Sequence, residues 1–313
     1  MSFSVEVKED ILKVNTDNKS RILELESLLR FGGEIVLGRP LRLVFSCSNM
    51  HVLRYFISLV KQFYSSVSTE VASRQMQKLN HQTIYSCYIS DGAKDIIDDL
   101  GILDPVSLRK DEILNDPVLM VAYLKGAFLI KGTVNNPLTS NYHLEMSTDK
   151  ETEALFLQRC MNYFSLNARI SKRRNHLIVY IKEKDAIVEF LRRIGANVSM
   201  NEFENTVIKR TLAANINRVM NIDVANQQKT NASAKEQIKY IKYLEFNYPL
   251  EKLDPKILMV MKVRKENPEA SLLEMVDIIN STYDEEITKS GLNHRLRKIK
   301  EIAIDFEERK KAS

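Results

Sequence analysis

A diverged internal repeat, offset by about 100 residues, constrains the fold of this chain more than any other feature. Residues 25–36 (LESLLRFGGEIV) return in altered form as residues 124–134 (LKGAFLIKGTV), and a turn with proline follows each copy. Both copies continue with apolar runs of strand, helix, strand, strand and helix type: 41–47, 52–64, 67–74, 83–89 and 94–101 in the first, and 142–147, 153–164, 168–173, 176–181 and 186–195 in the second. Strands in runs with helices between them predict an α+β domain of two similar halves, packed about a pseudo-twofold axis.

The chain is long enough for two domains, with 313 residues and 44% hydrophobic content. We predict a duplicated domain over residues 1–200, with repeats at about 21–103 and 120–198. A helical connector over 201–250 and a small all-α helix-turn-helix domain over 251–313 are expected to follow.

Within the predicted connector, residues 215–230 include four asparagines and two glutamines. The stretch is compatible with a helix and with a turn-rich linker. Amides beside Arg218 and Lys229 suit contacts to phosphates or base edges, so these two cations are candidates for secondary DNA contacts.

Residues 288–300 (TKSGLNHRLRKIK) carry five basic side chains and no acid, whereas acids flank the segment on both sides. Leu292, Leu296 and Ile299 recur at i, i+4 and i+7, which predicts one apolar helix face with a positive or amide-bearing remainder. A second periodic segment, 271–280, lies immediately upstream. Two short helices with a basic second helix are typical of a helix-turn-helix, whose second helix enters the major groove. The alternative explanation is an ordinary solvated face.

The first turns of such a helix meet DNA. Thr288 is predicted to cap the helix, since its hydroxyl can accept from free amides of the first turn. Asn293 is the candidate for reading a base, because an amide can pair bidentately with adenine. The other candidate DNA-binding residues are Lys289 and Ser290 in the first turn, followed by His294, Arg295, Arg297 and Lys298, which are expected at phosphates or a guanine edge.

The sequence lacks the signals of several other protein classes. No apolar run approaches the ~20 residues of a membrane span, and the N-terminus does not have the pattern of an export signal. No phosphate-binding glycine loop or nucleophile motif is present. We therefore expect a cytoplasmic, nucleoid-associated protein that binds double-stranded DNA, does not bind membranes and is not an enzyme.

Metal and redox chemistry also have little support in the sequence. The three cysteines, Cys47, Cys87 and Cys160, lie in apolar or aromatic runs and are expected to be reduced core residues. None of the histidines is spaced for metal binding, so no metal or cofactor is expected. They are scattered along the chain: His51, His81, His143, His176 and His294.

Four segments in this order carry a resemblance to a known family: residues 28–33 (LLRFGG), 124–135 (LKGAFLIKGTVN), 217–230 (NRVMNIDVANQQKT), and 268–272 followed by 287–298. On these segments the chain resembles the WhiA family of bacterial regulators of sporulation and cell division. That family joins a degenerate LAGLIDADG homing-endonuclease-like domain to a C-terminal helix-turn-helix. The resemblance covers nearly the whole chain.

The resemblance implies a comparison with the related nucleases. In those enzymes two LAGLIDADG helices pack together through small residues, and each ends in a carboxylate that binds a divalent metal. The small positions correspond to Ser27, Gly126 and Ala127, and the metal-ligand positions to Gly32 and Lys131. A glycine has no ligand atom and an ammonium repels Mg²⁺, so we expect no nuclease activity.

The resemblance also implies a function. We expect a DNA-binding transcriptional regulator involved in cell division and chromosome segregation, and in sporulation in spore-forming relatives. The alternative is a cell-division scaffold that acts mainly through protein partners, such as a sigma factor or a division or chromosome protein. The saddle-shaped sheet could hold DNA through Lys172, Arg173 and Arg174, or these residues could form an ordinary solvated strand and turn.

Overall fold

The computed structural model describes residues 2–75, 83–139, 141–174, 176–283 and 285–312. Contacts between residues divide the chain into two compact units, Met1–Thr211 and Leu212–Ser313. In the first unit, a short helix, α1 (Phe3–Ile11), precedes two halves with the same order of elements.

The first half contains α2 (Asn18–Gly32), β1 (Gly33–Val36), β2 (Arg42–Cys47), α3 (Met50–Phe63), β3 (Glu70–Gln75), β4 (Thr83–Ile89) and α4 (Ala93–Asp99). A short helix, α5 (Lys110–Asn115), connects it to the second half. The second half contains α6 (Pro117–Lys131), β5 (Gly132–Val134), β6 (Leu144–Thr148), α7 (Glu151–Tyr163), β7 (Arg169–Arg173), β8 (His176–Ile181) and α8 (Lys184–Arg193). The predicted duplicated α+β architecture is confirmed, and α1 and α5 are elements that the repeat did not predict.

Each half builds one four-stranded antiparallel sheet. The strand orders, β1-β2-β4-β3 and β5-β6-β8-β7, are equivalent between the halves. In both sheets the register places apolar partners side by side, with Phe45 opposite Cys87 and Met146 opposite Val179, and all four side chains are buried. Because apolar and polar residues alternate along the strands, one face of each sheet packs against the hydrophobic core.

The two central helices, α2 and α6, approach each other closely because small residues lie between them. A Cβ atom on Gly126 would lie 2.7 Å from the Ser27 Cβ and 2.9 Å from the Glu24 carbonyl oxygen. The Ser27 hydroxyl also donates to the carbonyl oxygen of Tyr123 at 2.8 Å. The predicted packing of the helices through small residues is confirmed at this position.

Arg30, on α2, is the centre of a buried ionic network. Its Nε donates to Glu26 at 2.9 Å and its Nη1 to Glu153 at 3.2 Å, and all three side chains are almost completely buried. The same guanidinium donates to three backbone carbonyl oxygens, those of Gly101 (2.7 Å), Asp104 (3.0 Å) and Val106 (3.1 Å). All five of its N–H donors are thus used. Burial opposes the charge, but the hydrogen bond and charge of Glu26, together with Tyr123 and Glu153, outweigh it and raise the pKa of Arg30.

A second buried ion pair joins the central helices directly. Lys125 of α6 lies 3.1 Å from Glu24 of α2, and both side chains are buried. Glu24 also accepts from the hydroxyls of Thr16 (3.0 Å) and Tyr55. Charged residues therefore form part of the contact between the halves, and their charges are paired, as burial requires.

The second unit is helical. From Leu212 onward it contains the rest of α9 (Asn197–Asn247), a 3₁₀ turn (Leu250–Lys252), α10 (Pro255–Glu266), α11 (Leu272–Thr282) and α12 (Lys289–Ala312). The amide-rich residues 215–230 are helical, so the turn-rich alternative is wrong. The core of the unit includes Ile241, Leu244, Val260, Met275, Ile279, Leu292, Leu296 and Ile299.

Side chains cap the short helices of the second unit. Asp254 accepts from the Lys256 amide at α10. Ser271 and Glu274 form a reciprocal capping box at α11. The helix α12 continues to Ala312, well past the predicted 288–300, because apolar residues keep their helical spacing there: the rings of Phe306 and Tyr248 pack edge-on at 5.2 Å.

We expect Arg30→Met to destabilise the first unit by about 3–5 kcal/mol, because it removes the cation that pairs with the buried Glu153 and leaves Glu26 paired with Arg109 alone among the described residues. Urea denaturation of the full-length protein, followed by far-UV circular dichroism, measures the loss. The control is Lys19→Met, which breaks an exposed ion pair with Glu112 and should cost less than about 1 kcal/mol. Equal losses in the two variants would contradict the importance of the buried network.

Candidate nucleic-acid interface

The start of α12 is held by two sets of hydrogen bonds. The Thr288 hydroxyl accepts from the Gly291 amide at 3.2 Å, which is the predicted cap. The Asn280 side chain, near the end of α11, donates to the Ile287 carbonyl at 3.1 Å and accepts from the Ile287 amide at 2.8 Å. Because this amide pairs with both backbone groups of one residue, it fixes the direction in which the chain enters α12.

The first turns of α12 have an apolar inner face and a polar outer face. Leu292, Leu296 and Ile299 are buried in the core of the second unit, as their spacing predicts. The outer face exposes five of the candidate DNA-binding residues, Lys289, Ser290, His294, Arg297 and Lys298. Lys289, Arg297 and Lys298 form no ion pair with any residue that the structure describes. Their charge is therefore available to an anion.

Arg295 has a different environment from the other candidates. Its guanidinium lies 2.5 Å from the Glu285 carboxylate, which also pairs with Lys256 at 3.0 Å. Hydrogen bonds from Arg295 and Lys256 lower the pKa of Glu285. Because Arg295 is mostly covered and already paired, it joins α12 to the preceding turn and to α10 rather than pointing freely outward.

Asn293 lies at the side of the exposed face, next to α9. Together with Arg297 it borders a cleft of about 120 Å³ between α12 and the C-terminal part of α9. The other residues around this cleft are Ser233, Glu236, Gln237, Tyr240, Leu296 and Lys300. The Gln237 side-chain oxygen is buried in the described part of the unit without a hydrogen-bond partner. The centre of the exposed face is thus formed by Ser290 and His294 rather than by Asn293.

The basic side chains of α12 form two groups. One lies before Glu301, and the other lies at the end of the helix, where Lys310 donates to Asn247 and Lys311 pairs with Glu307. Lys300 pairs with Glu236 at 2.7 Å and lies over the Tyr240 ring. After it, exposed acids follow along the helix, at Glu301, Asp305, Glu307 and Glu308. The electrostatic surface that favours a polyanion therefore coincides with the N-terminal part of the helix.

The candidates for secondary DNA contacts lie on two separate elements, α9 and β7. Arg218 and Lys229 are exposed on α9. Lys172 and Arg173 are exposed on β7, an edge strand, and Arg174 follows in a left-handed turn conformation. Arg173 lies 3.9 Å from Glu145 of β6.

The open faces of the two sheets carry charges of both signs. In the first sheet, one row of strand partners comprises Glu34, Val44, Tyr88 and Glu70. The corresponding row of the second sheet comprises Thr133, Glu145, Tyr180 and Arg169. Neither row is uniformly basic, so the sheets lack the single-sign field of the α12 surface.

The positions of the nuclease metal ligands lie at equivalent places in the two halves. Gly32 and Lys131 are the last residues of α2 and α6. Neither supplies an oxygen ligand, and Lys131 is exposed. Glu34, two residues further, is exposed on β1. The donor set at these helix ends does not fit a divalent cation, which requires carboxylate or carbonyl oxygens.

Other reactive side chains are dispersed or buried. In the described segments, no three His, Cys, Asp or Glu side chains converge where they could hold a metal ion. His81 lies outside the described residues. The three cysteines are buried and unbridged, as predicted, and burial raises the pKa of Cys87 to about 11 and that of Cys160 to about 12. Of the helices that the structure describes, none combines the length and hydrophobicity of a membrane span.

Sequence patterns did not identify several residues of this interface. Asn280 orients the start of α12, and Glu285 holds Arg295, yet neither belongs to a periodic pattern or a charge cluster of its own. Ser233 and Gln237 meet α12 from a segment distant in sequence. The Asn280 amide at the end of an apolar helix was the available signal, since amides often bond to backbone groups at turns.

Comparison with known proteins agrees with this architecture. The WhiA N-terminal LAGLIDADG-like domain matches residues 18–103, the WhiA LAGLIDADG-like domain matches 120–213, and the WhiA C-terminal HTH domain matches 216–303. Together these matches cover most of the chain.

Full-length relatives and a solved structure give the same result. A probable cell division protein WhiA from Lacticaseibacillus paracasei is 36% identical over 314 residues, 98% of this chain and 98% of the relative. A protein of the same name from Staphylococcus aureus is 34% identical over 307 residues, 97% of this chain and 96% of the relative. The crystal structure of full-length DUF199/WhiA from Thermatoga maritima is 27% identical, with a TM-score of 0.61, and covers 98% of this chain and 99% of that one. The chain therefore belongs to the WhiA family.

Proposed function

We propose that this protein binds double-stranded DNA through the first three turns of α12. The observation that carries the proposal is the exposed, unpaired positive charge of Lys289, Arg297 and Lys298 beside the N-terminus of a capped helix. A helix N-terminus and free cations both favour phosphate oxygens.

The geometry divides the tasks within this surface. Lys289, Arg297 and Lys298 contact phosphates on either side of the groove. Ser290 and His294, at the centre of the exposed face, meet base edges, and Asn293 reads a base from the side next to α9. Arg295 contributes by holding α12 against the turn through Glu285.

The cellular role that we propose follows from the family and from this surface. Curated relatives carry the name probable cell division protein. A DNA-binding protein in that setting acts as a transcriptional regulator for cell division and chromosome segregation, and works at the nucleoid. A protein partner, such as a sigma factor or a division protein, would bind away from α12, and the mixed-charge sheets are suited to protein contacts.

We also propose that the LAGLIDADG-like unit does not cleave DNA. Metal-assisted hydrolysis needs oxygen ligands that hold the ions beside the attacking and leaving oxygens. The two helix ends supply a glycine and an ammonium group in their place. The unit therefore keeps a nuclease fold for positioning or partner binding.

Removing two cations from the α12 surface should weaken binding to all duplexes. For Arg297→Ala with Lys298→Ala, we expect the log–log salt dependence of the binding constant to become shallower by about 2, since each phosphate contact contributes about 0.9. Fluorescence anisotropy with a mixed-sequence duplex across a salt series measures this slope.

The matched control is Lys252→Ala with Lys262→Ala, which removes the same charge from exposed positions elsewhere in the second unit. It should leave the slope unchanged. Parent-like binding by the α12 variant would place the interface elsewhere and would favour a scaffold that acts through protein partners.

The full-length protein should not nick supercoiled plasmid when Mg²⁺ is added, because the ligand positions lack carboxylates. Its DNA affinity should also be the same with Mg²⁺ and with EDTA at matched ionic strength. Agarose electrophoresis and anisotropy measure the two properties. Mg²⁺-dependent cleavage that disappears in Glu34→Gln, the variant of the nearest carboxylate, would refute the proposal.

A further inference from the structure

In the second unit, α9 and α12 run side by side in the same direction. Glu236 of α9 pairs with Lys300 of α12 at 2.7 Å. Eleven residues further along α9, Asn247 accepts from Lys310 at 2.8 Å. Since both contacts advance together along the two helices, the helices are parallel over this span.

The parallel arrangement makes α9 extend beyond the start of α12. Ser233 and Asn293 border the same cleft. One turn earlier, Lys229 on α9 is level with Lys289, where α12 begins. Residues 212–228 therefore continue past the N-terminus of α12 for about 25 Å at 1.5 Å per residue. We call residues 212–229 the α9 arm.

The α9 arm lies next to the surface that we propose binds DNA. The proposed DNA surface of α12 begins at Lys289, and the arm continues from the level of this residue past the N-terminus of the helix. The major groove is about 12 Å wide, so an arm of about 25 Å is long enough to pass a groove and reach its phosphate backbone. All residues of the arm are exposed.

The side of the arm that continues the α12-facing surface of α9 carries basic and amide side chains. Residues at three- and four-residue spacing before Ser233 lie on this side: Lys229, Asn226, Ala225, Ile222, Arg218 and Asn215. The only acid of the arm, Asp223, lies about 120° around the helix from Lys229. Of the exposed apolar residues of the arm, Ile222 lies on this side, and Val219 and Leu212 lie within about 60° of Ser233 around the helix. Ile216 lies further away, at about 100°.

We propose that this side of the α9 arm binds the sugar–phosphate backbone of the duplex that α12 enters. The proposal rests on the proposed DNA-binding function and adds a second contact to it. Arg218 and Lys229 neutralise phosphates about three turns apart. Asn226 donates to a phosphate oxygen, and Ala225 allows the helix to approach closely. Backbone contacts of this kind set register and affinity and read no bases.

The test is the double variant Arg218→Ala with Lys229→Ala in the full-length protein. Loss of two phosphate contacts should make the salt dependence shallower by about 2. Hydroxyl-radical footprinting should lose one short tract of backbone protection beside the α12 site, while the protections from α12 remain. Alanine favours helix, so the arm should stay folded, which far-UV circular dichroism can check.

Two further variants sharpen the test. Lys235→Ala with Lys242→Ala removes the same charge from exposed positions of α9 that lie off this side, and should leave both readouts unchanged. Arg218→Lys with Lys229→Arg keeps both charges, and should keep the slope and the footprint.

The outcomes separate this inference from the proposed function. If the arm variant keeps the parental slope and footprint while the α12 variant Arg297→Ala with Lys298→Ala loses affinity, the arm does not contact DNA and the inference is wrong. If neither variant changes the slope, the proposed function itself fails. A loss in both, with unchanged Lys235 and Lys242 controls, supports the arm as a second phosphate-binding element.

Discussion

The close contact between α2 and α6 is the interaction on which the first unit depends. At Gly126 the backbones come so near that even a methyl group would meet Ser27 and the carbonyl of Glu24. Helices at such a distance bury the polar residues that flank the contact, and those residues must then be paired. The Glu24–Lys125 pair and the full set of acceptors around Arg30 meet this requirement.

The same contact explains how a LAGLIDADG-like fold forms without carboxylates at the ends of its two central helices. Helix approach depends on residues in the middle of α2 and α6, whereas metal ligands would lie at their last residues. Gly32 and Lys131 therefore change the chemical capacity of the helix ends without disturbing the packing above them. The approach of the two helices and the chemistry of their ends therefore depend largely on different residues.

In the second unit, the key property is that the first turns of α12 carry several exposed cations that form no ion pair with the described residues. Arg295 and Lys300 are engaged with Glu285 and Glu236, and acids follow along the rest of α12. Lys289, Arg297 and Lys298 are exposed in the first turns, where the capped N-terminus adds its own positive field. The α9 arm places Arg218 and Lys229 beyond the N-terminus of α12, on the side that we propose contacts the DNA backbone.

The sequence by itself determined the duplicated architecture, the helical second unit and the apolar face of α12, because hydrophobic periodicity reports which face of an element is buried. It also determined which residue types stand at the ends of the two LAGLIDADG helices. Only the tertiary structure decided which charged residues are buried and which are paired. Arg30 and Lys125 are as charged in sequence as Arg297, yet they are buried, and Arg295 is held by a carboxylate ten residues away. It likewise decided that Asn293 lies beside α9 and that α9 extends past α12. Whether a charge is paired or exposed depends on residues that packing brings together from distant parts of the chain. The spacing of residues along the sequence does not identify those partners.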